Sequence, residues 1–525
     1  MSIKNQKARV CEHCGQNFSI IEEELVLYKK VDIELPRICF FCRVKQHLSF
    51  WMFGKFRKGK SDLSGDSLIT VLPEKARYPI YPLSEWHSDK WDAMDFGMDY
   101  DESQSFFKQL QDLQEKVPHP HQNGANNTKC DWCDDVWNSK NCYLSRSMEE
   151  CEDLFYSYRN VWVKNSIDVV VCYKSEKCYD CSDCYNSYKL FYSKHSRDCI
   201  DSSFLYDCRN CQNCFMCWNL RNKSFCIENI QYTKEEYNKK LKSFNLGSYE
   251  SIQNHKNNFE KITKKEIIHR QNFNLKVYDS DGDYLLDCKN CHNSNTINDS
   301  VDSFNCIRGM KHKSDIDANN CWYSELVGNC HGCSHCYCLK YCNWSTSRYS
   351  EYLDLCIECE YCFGCVGLKK KKYCILDKQY TKERYEVLKE KIISDMKNRG
   401  EYGQFLPYSM SAGPFNFSTS YLYFSDTKKE DILKLGGYWE DIDESHIEGI
   451  PTSELPDDIK DVSDDIITKA LICPETGWRF NIAKNELSFY KENNIPLPRY
   501  HFDVRTRNSL KYLIVLQSYP YTCFY

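Results

Sequence analysis

Apolar and polar positions alternate in a regular way through the middle of the chain. Between residues 130 and 230 a small residue, usually Cys, stands two places before Asp, Asn or Glu. It does so at Cys151, Ser166, Cys181, Cys199, Cys211 and Cys226, in steps of 15, 15, 18, 12 and 15 residues. A second stretch shows the pattern at Cys288, Ser300, Asp315 and Cys330, in steps of 12, 15 and 15. Tyr, Phe, Val and Ile fill the intervals, as in Leu154–Tyr158 and Val169–Tyr173. A period near 15 with β-formers and polar corners is too short for a helical hairpin. It predicts the narrow coils of a β-solenoid, strand stacked on strand, with Cys acting as a small hydrophobe inside.

The two stretches are copies of each other. Cys208, Cys211, Cys214, Cys217 and Cys226 align without a gap to Cys356, Cys359, Cys362, Cys365 and Cys374 at an offset of 148, and each run ends in QYTKE. Thr233 to Glu236 is a capping-box pattern, partly repeated from Thr381, so a short helix should cover the end of each block. A further helix is expected between Asp101 and Val117, with Phe106, Phe107, Leu110 and Leu113 on one face and Pro118 stopping it. The fold class that follows is mainly β: two Cys-rich solenoid-like blocks with capping helices, flanked by small zinc-ribbon-like modules. The expected boundaries are a module at 1–60, an aromatic and helical connector at 61–128, blocks at 129–260 and 278–400, an acidic linker at 401–466 and a degenerate module at 467–525.

The flanking modules carry the clearest chemistry. Cys11, Cys14, Cys39 and Cys42 form two Cys-x2-Cys pairs, a donor set suited to one tetrahedral Zn2+ in a closed structural site, with Gly15 at the turn behind the first pair. His13 lies inside that pair but is superfluous to a shell of four thiolates. Residues 473–510 align without gaps to residues 11–48 at an offset of 462, matching Gly477, Phe480, Glu486, Tyr490, Arg499 and Arg505. The ligands are lost there: Thr476, His501 and Val504 replace three of the four cysteines. That copy should keep its fold without a metal.

The 34 cysteines raise the question of further metal. The first residues hold no apolar leader, which places the chain in the cytoplasm, where Cys-x2-Cys more often means metal than disulfide. Cys130 with Cys133, and Cys288 with Cys291, open the two blocks and are candidates for additional zinc. The uniformly spaced runs from Cys208 and Cys356 invite an iron–sulfur reading, but the cluster run C-x2-C-x2-C-x3-C-P differs in its last spacing and its Pro. Packed thiols are the third alternative.

Net charge is -6, which argues against a purely electrostatic nucleic-acid binder. Basic residues nonetheless concentrate at Arg43, Lys45, Lys55, Arg57, Lys58 and Lys60, interleaved with Phe50, Trp51, Phe53 and Phe56, a mixture suited to phosphate contact and base stacking. Trp86 to Trp91 includes a His and an Asp but no nucleophile motif, and reads as a packed loop. No phosphate loop, nucleophile elbow or paired-carboxylate signature is present.

The N-terminal motif, C-x2-C-G-x2-F with E-L-x2-Y and P-R-x-C-x2-C-R, resembles zinc-ribbon or treble-clef-like units. The whole layout resembles a family of bacterial proteins without established activity, in which such units flank Cys- and Tyr-rich repeats. The resemblance implies a cytoplasmic zinc-binding protein with Cys11, Cys14, Cys39 and Cys42 as ligands. The expected role is a non-enzymatic scaffold for a macromolecular partner, RNA or ribonucleoprotein among them, with no membrane and no small-molecule substrate. An iron–sulfur electron carrier and a self-assembling structural protein are the alternatives.

Overall fold

The inward residues of the two repeat blocks fall at every third position, and that spacing governs the architecture. In the computed structural model, which describes residues 7–53, 55–441, 448–511 and 513, the chain is mostly β, with 32% strand, 25% helix and large parallel sheets. From Gly124 to Cys226, neighbouring strands pair in parallel with each residue opposite the one twelve further on. Cys133 faces Ser145, Ile167 faces Tyr179 and Gln212 faces Ser224. The second block repeats the rule, with Ser303 beside Cys291 and Gly328 beside Ile316. It drops one residue at its start, where Tyr278 faces Lys289, and another near Thr346, where the step is again eleven, and resumes twelve at Glu351 and Phe363.

The step is therefore twelve residues, not about fifteen. Side chains turn inward at Cys130, Cys133, Val136, Ser139, Cys142 and onward by threes to Cys217, all of them buried. In the first block any two inward cysteines are separated by a multiple of three, so spacings of 12, 15 and 18 all arise from one twelve-residue step. In the second block the residue dropped near Thr346 breaks the rule between Cys342 and Cys356. Between the inward positions the chain bends through the left-handed region once per triplet, at Asp135, Asn138, Asn141 and their successors. Asn and Asp tolerate that conformation best. Val171, Tyr192 and Phe204 also adopt it, held by ladder bonds such as the Val171 amide donating to the Tyr158 carbonyl at 3.0 Å.

The choice of Cys and Ser inside follows from backbone accounting. Ser187 Oγ donates to the Tyr185 carbonyl, two residues back, and accepts from the Cys199 amide, twelve residues on. Cys330 Sγ does the same with the Gly328 carbonyl and the Cys342 amide. Each of these inward groups thus gives the amide twelve residues on an acceptor it would otherwise lack, while its own proton goes to a carbonyl that also accepts a backbone bond, Tyr185 from Asp198 and Gly328 from Tyr341.

Each ladder closes in a short antiparallel pair made by the QYTKE segment, Cys226 with Gln231 and Cys374 with Gln379. Helices follow at Lys234–Lys242, with the full capping box of Thr233 and Glu236, and at Lys382–Asn398, where Thr381 caps. Two compact units result, one from the described residues of 1–121 and 270–440, the other from 122–269 and 441–513. Each unit joins one terminal module to one repeat block. Residues 401–441 are not a tether: four short helices lie between Tyr408 and Lys434, and Tyr408, Phe415 and Ile432 are buried together. The predicted connector helix is Phe106–Gln114, burying Phe106, Leu110 and Leu113. No helix among the described residues is long and apolar enough to cross a membrane.

Candidate metal centre

A β-hairpin, Lys7–Val10 paired with Asn17–Ile20, presents Cys11 and Cys14 at its turn. The Cys11 amide donates to the Gln16 carbonyl and the Gly15 amide to the Cys11 carbonyl, both at 2.9 Å, so the loop curls back on itself. Gly15 has φ of +72°, the conformation that makes glycine the natural residue there. The second pair sits where the helix Phe40–Ser49 begins, with Cys39 as its N-cap and Cys42 in its first turn. A helix N-terminus favours negative charge, hence thiolate.

The four sulfurs lie within 4.8 Å of one another, and no other group of three or more ligating atoms does so among the described residues. Cys14 Sγ is 3.8 Å from Cys39 Sγ, and the Cys39 amide donates to Cys11 Sγ at 3.2 Å. Cys11, Cys39 and Cys42 are buried while Cys14 reaches solvent. Hydrogen bonding from Cys42 holds the Cys39 thiol down to about 5, and sharing that proton pushes Cys42 up. The group can hold a metal ion. Burial lowers His13, which stays outside the set.

The module is held by a buried polar cluster. Arg43 forms an ion pair with Asp317 at 2.8 Å, Tyr28 donates to the same carboxylate at 2.7 Å, and Glu24 accepts from Asn305 at 2.7 Å. The C-terminal module reproduces this with equivalent residues: Arg505 pairs with Asp168, and Glu486 accepts from Tyr156 at 2.8 Å and from Tyr490 at 2.9 Å. Its ligand positions hold Cys473 alone and buried, Thr476 accepting from the Trp478 amide, His501 capping the last helix, and buried Val504. Glu24, Tyr28 and Arg43 were legible as matches to Glu486, Tyr490 and Arg505; their shared role in holding module to block was not.

A third loop of the same kind escaped the sequence reading. The hairpin Arg57–Lys60 with Ser67–Thr70 places Ser61 and Ser64 at the turn, fifty positions after Cys11 and Cys14. Its Ser61 amide bonds Asp66 and its Gly65 amide bonds Ser61, as in the cysteine loop. Here Ser61 Oγ accepts from the amides of Leu63 and Ser64 and donates to Glu85, so hydroxyl hydrogen bonds stand where thiolate–metal bonds would. The signal was Ser-x2-Ser-Gly.

The remaining candidates are dispersed. Cys130 and Cys133 face inward, as do Cys288 and Cys291, whose sulfurs donate to the carbonyls of Leu286 and Lys289. Among the described residues neither pair gathers a third ligating atom within 4.8 Å. Cys208, Cys211, Cys214 and Cys217 occupy successive inward positions of one twelve-residue step, each donating to the carbonyl two residues back. Of the basic residues, Arg43 is consumed by Asp317, Arg57 holds the carbonyls of Leu72 and Pro73, and Lys45 lies over the Phe424 ring. Lys55, Lys58 and Lys60 are exposed. Phe50, Trp51 and Phe53 are buried.

Inside the second block, His312, Asp315 and Ser324 are fully buried together. Both Asp315 and Ser324 meet the same imidazole nitrogen, Nδ1, at 2.9 and 3.2 Å. A nucleophilic triad needs the two ring nitrogens on different partners. Gly309 makes room for the ring, because a Cβ there would meet His312 Nε2 at 2.4 Å. Searches against protein-family models and against characterised proteins found no match to the chain.

Proposed function

We propose that the protein is a non-enzymatic zinc-binding scaffold whose stacked twelve-residue steps form two β-solenoids, each carrying a module that offers a surface to a macromolecular partner. The observation that carries the zinc reading is the closed four-sulfur group. With Zn–S bonds near 2.3 Å, a tetrahedron has sulfur–sulfur edges of about 3.8 Å, the separation of Cys14 from Cys39. Four protein ligands leave no open position, so the role is structural rather than Lewis-acid catalysis. Metal analysis of the purified chain tests this: one zinc per chain is expected, three or more would place metal in both blocks, and iron would replace the proposal with an electron carrier.

RNA is the partner this reading favours. Lys58 and Lys60 are exposed on the hairpin strand Arg57–Lys60 and Lys55 is exposed just before it, a basic cluster that suits phosphate contact. Charge reversal of all three should abolish retention of RNA on filters at low salt. Wild-type chain that retains no RNA, or a variant that retains as much as wild type, removes RNA as the partner.

A further inference from the structure

In the unit formed by 122–269 and 441–513, the helix Tyr249–Lys265 and the segment 496–511 roof the ladder around Tyr179, Tyr192 and Phe204, enclosing a cavity of about 480 Å³. That volume falls within the range of small-molecule sites. One wall is aromatic: Tyr192 and Phe204 stack at 4.8 Å, and Phe259 meets Phe204 edge-on at 5.9 Å. The charged lining has five basic residues against three acidic ones. Asp180 is taken by Lys256 at 2.5 Å, Asp168 by Arg505, and Glu260 by Lys264 outside the lining. Lys194 and Lys511 also line the cavity.

Donors are left over. The Tyr192 hydroxyl and Arg505 Nε are buried and have no hydrogen-bond partner among the described residues. Such groups are costly unless something accepts from them.

The other unit shows how the same crevice looks when the chain fills it. Tyr341 is the counterpart of Tyr192, and its hydroxyl accepts from the Glu34 amide at 3.1 Å. The residue aligned with Glu34 is Pro496, which has no N–H to give. Tyr352, counterpart of Phe204, accepts from the Gly403 amide at 2.9 Å, and Arg37 donates to the Gly400 carbonyl. Asn329 stands where Asp180 is and is bonded to His47. One crevice is closed by its own backbone and neutral amides; the other is open, aromatic and positive.

We propose that this cavity binds a nucleoside 5′-monophosphate, its base against the Tyr192–Phe204 wall and its phosphate accepting from Lys194, Tyr192 and Arg505. Unsatisfied donors beside a flat aromatic wall call for a ligand with a planar ring and clustered acceptor oxygens. Burial lowers Lys194 to about 8, a shift that a phosphate bound beside it would oppose.

Calorimetric titration of the full chain with AMP, GMP, UMP and CMP, alongside adenosine and inorganic phosphate, tests the proposal. At least one monophosphate should bind one per chain, about tenfold or more tighter than phosphate or the nucleoside alone, a difference of about 1.4 kcal/mol. Lys194→Gln should weaken it about tenfold, and Tyr192→Phe, which removes one oxygen without altering packing, about threefold. Charge reversal of Lys55, Lys58 and Lys60 should leave it unchanged, which separates this site from the RNA surface. The proposal fails if no monophosphate saturates below about 1 mM, if phosphate binds as tightly as the nucleotides, or if Tyr192→Phe binds as wild type.

Discussion

The two terminal modules share a hairpin (Lys7–Ile20 in one, Leu471–Phe480 in the other), two helices (Glu22–Val31 and Phe40–Ser49, Lys484–Glu492 and Phe502–Leu510) and a Glu, Tyr and Arg at matching positions, yet only one has four sulfurs. The N-terminal module is fixed twice, by the Cys11–Cys42 group and by Arg43 on Asp317. The C-terminal module relies on Arg505, Glu486 and Tyr490, with Val504 and Phe502 buried where ligand chemistry has gone. The comparison shows that the fold of the module and its attachment do not require the four-sulfur group. What both modules keep is the arginine and its carboxylate.

Removing the metal should break the symmetry most strongly. Structural zinc sites contribute on the order of 10 kcal/mol to small metal-dependent folds. Chelation, or Cys39→Ser with Cys42→Ser, should raise amide exchange across Glu22–Ser49 by about 100-fold or more, equivalent to about 2.7 kcal/mol or more. Exchange across Lys484–Leu510 should not change. Equal loss in both modules would show that they are not independent.

Next in size is the ion pair. Leaving a buried charge without its partner costs about 3–5 kcal/mol. Arg505→Ala should therefore expose the C-terminal module to proteolysis, whereas Arg43→Ala should leave the N-terminal module folded on its metal but loosened from the second block. Limited digestion of both variants, with and without chelator, reads the difference. If Arg43→Ala released its module as completely as Arg505→Ala, the double attachment would be wrong.

The sequence revealed the modules, both blocks and the four sulfurs because each rests on local spacing. Cys-x2-Cys is confined to a turn, and the connector helix declares itself through Phe106, Leu110 and Leu113. The step length was hidden because inward positions recur by three, so cysteines alone cannot report how many triplets complete one step; only the pairing of Cys133 with Ser145 does. The attachment was hidden for another reason. Arg43 is 274 residues from Asp317, and a basic residue beside aromatics reads as a surface until its carboxylate is found. The crevice difference turns on one Pro496, whose missing amide matters only beside Tyr192.

The units should also diverge with pH. In the unit containing the metal centre, burial depresses His331 to about 4 and His47 to about 3. Their folded values lie below the unfolded value near 6.5, so the folded state binds fewer protons and stability is lost as pH falls through 6.5 toward 4. In the other unit, burial raises Asp134 to about 7, so folding takes up a proton and stability is gained as pH falls from 7 toward 4. Each pKa unit is worth about 1.4 kcal/mol. His331→Gln should flatten the acid loss of the first unit, and Asp134→Asn the acid gain of the second, in urea titrations followed by unit-specific cleavage. Slopes of the same sign in both units would contradict the assignment.

The smallest effect concerns what the two ladders have in common. If inward Cys and Ser are equivalent because both serve a carbonyl two residues back and an amide twelve on, exchanging them should cost little. Ser187→Cys in one block and Cys330→Ser in the other should each change stability by less than about 1 kcal/mol, since the bonds persist with altered lengths. Ser187→Val keeps the size but strands the Cys199 amide, and should cost about 1–3 kcal/mol. Chemical denaturation of the three variants ranks them. Were the valine variant as stable as the cysteine one, the interior would be selecting for volume alone. The high cysteine content would then have no explanation in hydrogen bonding, because a thiol that merely fills space could be replaced at every third position by any small apolar residue.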